Sequence, residues 1–298
     1  MSKYINPFTD WGFKKIFGQE INADLLIGFL NELLKGERHI TEVTFLDKEQ
    51  IPEYEDDRAL IYDVYCTTDT GEKIIVEMQN KRQKYFVNRT LYYMSRAIIN
   101  QGEKGDDWMY DIKAVYGIFF MNFTLADLAP TFRVDGRIED MQTHEAITDK
   151  MRYIYLQLPL FHKEEQDDCE NDFERWIFIL KHMETLDRMP FTKSKVFERL
   201  AKIADVRSLT EEEKFQYDES LKHYRDSNAV LRTAVEDGFE EGRAQGHEEG
   251  RKEGRAEGET IGAKKNSLEI ARKMKESGMS VEIIQQMTGL SAEEIQNL

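Results

Sequence analysis

Hydrophobic and polar positions divide the chain into an N-terminal part of mixed helices and strands and a C-terminal part that is helical. Apolar residues recur at the spacing of amphipathic helices in three segments, 10–18, 23–36 and 85–101. Apolar runs rich in β-branched and aromatic residues predict strands over 42–47, 59–68, 72–79, 112–123 and 151–159. Further helices are expected around 172–188, 193–205 and 211–235. This order predicts an α/β fold, in which a mixed sheet is flanked by helices and followed by an all-helical C-terminal extension.

The two central strands are separated by Asp69–Thr70–Gly71, which predicts a β-hairpin. With a three-residue loop centred on Thr70, Asp63 lies opposite Glu77, at a Cβ separation of roughly 5 Å, and Ile61 faces Gln79. Asp63, Glu77 and Gln79 then lie on one face of the sheet, because side chains alternate along a strand. A two-residue loop would shift the register and move Asp63 to the opposite face. Neither strand alternates cleanly between apolar and polar residues, so both faces of the sheet are expected to be covered.

Two neighbouring carboxylates in an apolar setting raise each other's pKa, and a hard divalent cation removes that conflict. Mg²⁺ binds carboxylate and phosphate oxygens, and it can activate a phosphodiester as a Lewis acid. Gln79 could orient water or phosphate through its amide, but it is not a strong base. The alternative is a cross-strand pair at a sheet edge, in which Asp63 forms a salt bridge with a basic residue such as Arg58.

The C-terminal third contains a glycine at every fourth position from Gly238 to Gly262, among mostly charged residues. One interpretation is a flexible charged spacer, and the other is a helix that packs closely against a partner helix. We favour a self-associating helix, which predicts a homo-oligomer.

The last thirty residues have helix-turn-helix spacing. The final AEEIQNL has no Lys or Arg, however, and this favours a small docking bundle over a domain that recognises DNA. The predicted divisions are 1–190 for the core, 191–235 for a helical extension, 236–265 for the glycine segment and 266–298 for a helical tail.

Charge is unevenly distributed along the 298 residues, although the net charge of −16 argues against a nucleic-acid partner at first sight. Between Gln79 and Lys104 there are six basic residues and one acidic residue.

We expect no secretory signal, because the start MSKYINPFTDWG lacks a basic and then apolar pattern, and no apolar run reaches the ~20 residues of a membrane span. Cys66 and Cys169 have neither disulfide nor metal-site spacing, which favours a reduced, cytoplasmic location.

Together these motifs resemble the PD-(D/E)XK nuclease superfamily, and more specifically its recombination-promoting nuclease and transposase branch. The resemblance is carried by NPFTDWGFKKIFG at 6–18, by Asp63 in LIYDVY, by VEMQ with Glu77 and Gln79, by NRTLYYMSR in the next helix and by the glycine-tetrad tail. It covers roughly 5–125 well and the remainder loosely.

The resemblance implies a restriction-endonuclease-like core that cleaves DNA with Mg²⁺, or alternatively Mn²⁺, in recombination, mobile-element or defence settings. It assigns Asp63 and Glu77 to the metal and places Gln79 where the motif of the superfamily has lysine. Asp10 becomes a candidate third ligand, with an N-terminal helix cap as its alternative. The rival hypothesis is a catalytically weak or inactive adaptor with a nuclease fold, which assembles through its glycine helix.

The helix after the hairpin has Tyr85, Arg89, Tyr92 and Arg96 on one face, an arrangement that could hold a phosphate backbone beside the metal site. The alternative is that the arginines pair with local acids and the tyrosines pack in the core. For the tyrosines we favour this alternative. The predicted DNA-contacting residues are Arg89, Arg96, Arg82, Lys84 and Lys14.

Overall fold

The computed structural model describes residues 2–50, 60–105 and 107–298. The chain divides into two compact units, Met1–Arg225 and Asp226–Leu298, which are described separately. The helices are α1 Asp10–Phe17, α2 Ala23–Leu33, α3 Phe86–Ile99, α4 Asp172–His182, α5 Lys195–Ala204, α6 Glu211–Glu276, α7 Val281–Thr288 and α8 Ala292–Gln296. The strands are β1 Val43–Phe45, β2 Glu49–Gln50, β3 Leu60–Ile61, β4 Val64–Thr68, β5 Lys73–Gln79, β6 Val115–Met121, β7 Arg133–Glu139 and β8 Ala146–Gln157.

A six-stranded sheet with the order β1-β4-β5-β6-β8-β7 forms the centre of the first unit. β5, β6 and β8 are parallel, whereas β1, β4 and β7 each run antiparallel to their neighbours. The carboxyl ends of β5, β6 and β8 therefore meet at one edge, where Gln79 pairs with Met121 and Met121 pairs with Gln157. This is the mixed sheet that the sequence predicts, extended by a strand, β7, that the sequence does not predict.

Buried side chains cover both faces of the sheet, as expected from the lack of alternation. Along β5, Ile74 and Val76 belong to a cluster with residues of α1, α2, α4 and α5, whereas Ile75 belongs to a second cluster with residues of α3. All seven residues of β6 are buried. The α1 and α3 helices therefore lie on opposite faces of the sheet, and an odd-numbered residue of β5 such as Glu77 shares its face with α3.

The segment before α1 is fixed by a network of short-range hydrogen bonds. The Thr9 side chain caps α1 by accepting a hydrogen bond from the backbone N–H of Gly12 at 3.0 Å. The Asn6 carbonyl passes so close to Gly12 that a Cβ atom there would lie 2.2 Å from it. The N-terminal motif thus fixes the start of α1, and the alternative role of Asp10 as the helix cap is wrong because Thr9 is the cap.

The hairpin between β4 and β5 has the register that a three-residue loop predicts. Val64 pairs with Val76 and Tyr65 with Ile75, and the loop is Asp69–Thr70–Gly71. Gly71 has φ +93°, a conformation that residues with a Cβ rarely adopt. One pairing differs from the prediction: Ile61 belongs to β3 and pairs with Glu49 of β2, so it does not face Gln79.

Replacing Gly71 with alanine is expected to lower the free energy of unfolding by roughly 1–2 kcal/mol, because alanine is strained at positive φ. Chemical denaturation of the two proteins measures the difference. Gly71→Asn should cost less than Gly71→Ala, because asparagine tolerates positive φ better. Equal stability of all three proteins would contradict this assignment of the turn.

In the second unit, the end of α6 packs with α7 and α8 around a small core of Ala271, Ile284, Leu290 and Ile295. Ser291 and Glu294 form a capping box at the start of α8. The glycines from Gly238 to Gly262 lie within α6, and an added Cβ at each would meet nothing within 4 Å. The glycine segment is thus helical in the structure. Self-association through it stays a prediction, and so does the division of the chain into four parts. None of the described helices combines the length and the hydrophobicity that a bilayer span requires.

Candidate active site

Asp63 and Glu77 lie side by side where β4 begins, and each accepts a hydrogen bond from the backbone of the other strand. The Asp63 N–H donates to Glu77 Oε1 at 3.2 Å, and the Met78 N–H donates to Asp63 Oδ2 at 2.8 Å. β4 starts only at Val64. At Asp63, therefore, backbone-to-backbone pairing is replaced by hydrogen bonds from the backbone to the carboxylates. These hydrogen bonds hold the Asp63 and Glu77 side chains in place.

Burial makes this pair of carboxyl groups hard to ionise together. Glu77 is only 2% exposed, and burial followed by repulsion from Asp63 raises its pKa to about 8, while Arg89 opposes the shift. The pKa of Asp63 is also raised, chiefly by burial, although the hydrogen bond from Met78 opposes this. The predicted effect of one acid on the other is thus present at Glu77, and the site favours either protonation or a bound cation.

Gln79 and Arg89 surround Glu77 on the α3 side. Gln79 Nε2 donates to Glu77 Oε2 at 3.2 Å, and Arg89 Nη2 lies 3.5 Å from the same oxygen. Arg89 also donates to Gln83 Oε1 at 2.9 Å, and its guanidinium stacks on Tyr93 at 4.9 Å from the ring centroid. Arg89 therefore pairs with a local acid, and that acid is a predicted metal ligand.

The alternative partner for Asp63, Arg58, lies outside the described residues. Within 60–105, the cation nearest the acidic pair is Arg89, and it contacts Glu77 and not Asp63. The edge salt bridge at Asp63 thus has no counterpart in this part of the chain.

The other predicted DNA-contacting residues of this region lie in the segment after β5 and on α3. Arg82 and Lys84 are exposed in the segment between β5 and α3, and Arg96 is half-buried two turns along the helix from Arg89. Tyr85 and Tyr92 are 66% and 49% exposed, so the expectation that they pack in the core is wrong. The buried face of α3 instead carries Phe86, Thr90, Met94 and Ala97.

On the α1 side, Asp10 and Lys14 form an ion pair at 2.7 Å across one helical turn. Both charges reach Asp63: Lys14 lowers the pKa of the Asp63 carboxyl, and Asp10 raises it. Asp10 is 67% exposed, and its role as a third ligand stays a prediction. Among the described residues, no group of three or more His, Cys, Asp or Glu side chains is gathered closely enough to hold a metal ion.

Sequence reasoning did not select Lys48, which lies at the same site. Its Nζ donates to the Gly18 carbonyl at 3.2 Å, and its own carbonyl accepts from the N–H of Tyr62 at 3.0 Å. Burial and the charge of Lys14 lower the pKa of Lys48, whereas Asp63 opposes that shift. Lys48 lies in a stretch that lacks periodicity, and only tertiary structure brings it beside Asp63.

The residues present fit a hard divalent cation. Asp63 and Glu77 supply oxygen donors from adjacent strands, and their pKa values are raised chiefly by burial, so a bound cation would favour the ionised carboxylates. Gln79 adds a neutral amide within hydrogen-bond reach of Glu77. The donor set contains no thiolate or imidazole, so it suits Mg²⁺ or Mn²⁺ better than a soft metal.

Two segments of the chain match known families. Residues 7–234 match the family described as PD-(D/E)XK nuclease family transposase. Residues 264–298 match the domain described as Rpn/YhgA-like nuclease family, C-terminal HTH domain, in agreement with the helix-turn-helix spacing of that tail. Neither the curated proteins nor the solved structures include a match to the chain.

Proposed function

This chain belongs to the PD-(D/E)XK nuclease family transposases, and from that premise we propose that it is a metal-dependent DNA endonuclease that hydrolyses phosphodiester bonds. Family membership agrees with the restriction-endonuclease-like fold, since six strands form a mixed sheet with helices on both faces. The observation that carries the proposal is the buried pair of Asp63 and Glu77, held by reciprocal backbone hydrogen bonds.

Asp63 and Glu77 would hold Mg²⁺, with Asp10 as a further ligand from α1. When bound, the ion supplies Lewis-acid activation of the phosphodiester. Gln79 orients the attacking water or a phosphate oxygen through its amide, which already reaches Glu77 Oε2. A glutamine cannot accept the proton of the water as a strong base, so it acts by orientation.

DNA would approach along the exposed side of α3 and the basic segment before it. Arg82, Lys84 and Arg96 supply charge for the phosphate backbone, and Arg89 reaches closest to the carboxylates. The exposed rings of Tyr85 and Tyr92 lie among these cations and offer surfaces against which sugars or bases can pack. The local excess of positive charge explains how a protein of net charge −16 could bind DNA.

Arg89→Ala is expected to weaken DNA binding and to reduce the slope of log affinity against log salt concentration by about one, as loss of a phosphate contact does. Fluorescence anisotropy with a labelled duplex over a range of salt concentrations measures both quantities. Arg137→Ala is the matched control, because Arg137 lies on β7, three strands from β5, and pairs with Glu139. An unchanged slope for Arg89→Ala would remove Arg89 from the DNA interface.

The experiment that tests the proposed function is nicking of supercoiled plasmid by the full-length protein, with Mg²⁺ and with EDTA. Mg²⁺-dependent conversion to open circles supports the endonuclease. If folded protein loaded with metal cleaves no DNA, the adaptor hypothesis is favoured, in which the nuclease fold is a scaffold. Mn²⁺ in place of Mg²⁺ should also support cleavage, because both ions prefer oxygen ligands.

The C-terminal unit completes the proposal. Its helix-turn-helix match offers a second DNA contact, while α8 has no Lys or Arg and leaves a docking role open for it. The glycine-containing part of α6 would join two copies into a homo-oligomer. Two unpaired, buried cysteines, Cys66 and Cys169, suit the reducing cytoplasm, and the family relationship suits a role in recombination, mobile elements or defence.

A further inference from the structure

We propose that Lys14 is a catalytic residue, whose ammonium group contacts the scissile phosphate from the α1 side while Arg89 approaches from the α3 side. This inference rests on the proposed nuclease function, and it assigns to α1 the positive charge that β5 lacks after Glu77. Two residues after Glu77, where the family name has lysine, this chain has the uncharged Gln79.

The position of α1 supports the assignment, because the helix is attached to the acidic strands at both of its ends. Before its start, the Phe8 carbonyl accepts a hydrogen bond at 2.7 Å from Nδ2 of Asn80, the residue that follows Gln79. At its end, the Gly18 carbonyl accepts from Lys48 Nζ at 3.2 Å, and the Lys48 carbonyl accepts from the N–H of Tyr62 at 3.0 Å. Tyr62 precedes Asp63, so α1 runs alongside the segment that holds the carboxylates.

Lys14 lies on the face of α1 that borders these strands. Asp10, Lys14 and Gly18 follow i, i+4, i+8 spacing, which places them on one face of a helix. Gly18 is the member that contacts Lys48. Consistent with this placement, the charges of Lys14 and Asp10 both act on Lys48, in opposite directions. Lys14 therefore lies beside the segment that leads to Asp63, while its side chain remains 35% exposed.

The present partner of Lys14 does not prevent this role. Asp10 is 67% exposed, and an ion pair so open to water contributes little to stability. A phosphate entering the site can therefore replace Asp10 as the partner of the ammonium group. The same exchange frees the Asp10 carboxylate for its predicted place near the metal. Gln79 cannot substitute for the ammonium group, because it is uncharged and its Nε2 already donates to Glu77.

The test is the kinetics of plasmid cleavage by full-length Lys14→Ala. We expect kcat to fall about a hundredfold, in the range seen when one donor to a developing negative charge is removed, with KM for DNA nearly unchanged. Lys14→Arg should retain much of the activity. The double variant Lys14→Ala, Gln79→Lys should recover part of the lost kcat, because a cation is restored two residues after Glu77. Lys35→Ala is the control, since Lys35 is 71% exposed and pairs only with Glu32 among the described residues.

A second readout does not depend on cleavage. Isothermal titration with Mn²⁺ should give a several-fold higher affinity for Lys14→Ala than for the wild type, because a cation near the carboxylates is removed. If Lys14→Ala retains the wild-type kcat, or changes only KM, the inference is overturned while the nuclease function stands. If the wild type cleaves nothing, the nuclease proposal fails, and an unchanged Mn²⁺ affinity then overturns the place of Lys14 in the site as well.

Discussion

Asp63→Asn is expected to reduce Mg²⁺-dependent DNA cleavage by at least about a hundredfold, because a metal ligand supports several kcal/mol of transition-state stabilisation. Asparagine keeps an oxygen that can accept the hydrogen bond from the Met78 N–H, so the hairpin should remain intact. Glu77→Gln should cause a similar loss for the same reason. Initial rates of plasmid nicking at saturating Mg²⁺ measure both effects.

Glu72→Gln is the control for these acid-to-amide changes. Glu72 lies next to the hairpin loop, where it accepts hydrogen bonds from Thr68 and Thr70, at the opposite end of β5 from Glu77. Its replacement should leave the cleavage rate nearly unchanged. Circular dichroism of each variant checks that it is folded. Equal cleavage by the wild type, Asp63→Asn and Glu77→Gln would remove the two carboxylates from the catalytic machinery.

The metal-free protein is expected to lose stability as the pH rises from about 5 to about 8, by up to about 1.4 kcal/mol per pH unit from Glu77 alone. The pKa of Glu77 is raised from 4.5 to about 8 in the folded state, so between these values the folded chain binds more protons than the unfolded chain. Folding is then favoured at low pH, and this contribution is lost as the pH approaches 8. Asp63, whose pKa is also raised, acts in the same direction.

Urea denaturation in EDTA, at several pH values, measures this slope for the wild type and for Glu77→Gln. The difference between the two proteins isolates Glu77 from the other titrating groups. Glutamine has no charge to bury, so the stability of the variant relative to the wild type should increase with pH. Added Mg²⁺ should stabilise the wild type at pH 8 more than it stabilises the variant, because the ion binds the folded state. A difference that does not change with pH would show that Glu77 titrates normally.

The hairpin is the part of the site that the sequence predicts best, because a turn residue and strand alternation together determine its register. Gly71 marks a three-residue loop, and the pairing of Val64 with Val76 follows from it. The register does not predict that regular strand pairing ends at Asp63. There the backbone N–H bonds to the Glu77 carboxylate, and Ile61 joins a separate pair of strands.

Helical periodicity identifies the faces of α3 but does not determine which face turns inward. Tyr85 and Tyr92 share one face, and Phe86, Thr90, Met94 and Ala97 share another. Both faces contain apolar surface, and only packing against the sheet selects the second. The exposed strand β7, with the sequence RVDGRIE, escapes prediction because its side chains are largely polar and its role depends on pairing with β8. The positions of Lys48 and α1 beside the site could not be predicted either, because they depend on contacts between residues far apart in the chain.

The most direct test of the paired-carboxylate site is a crystal structure of the full-length protein soaked with Mn²⁺, with data collected to show its anomalous scattering. We expect a peak within direct coordination distance of carboxylate oxygens of both Asp63 and Glu77. Asp63→Asn crystals soaked in the same way should show a weaker peak or none. A fully soaked wild-type crystal with no peak between these two side chains, or with its peak elsewhere in the chain, would contradict the metal site.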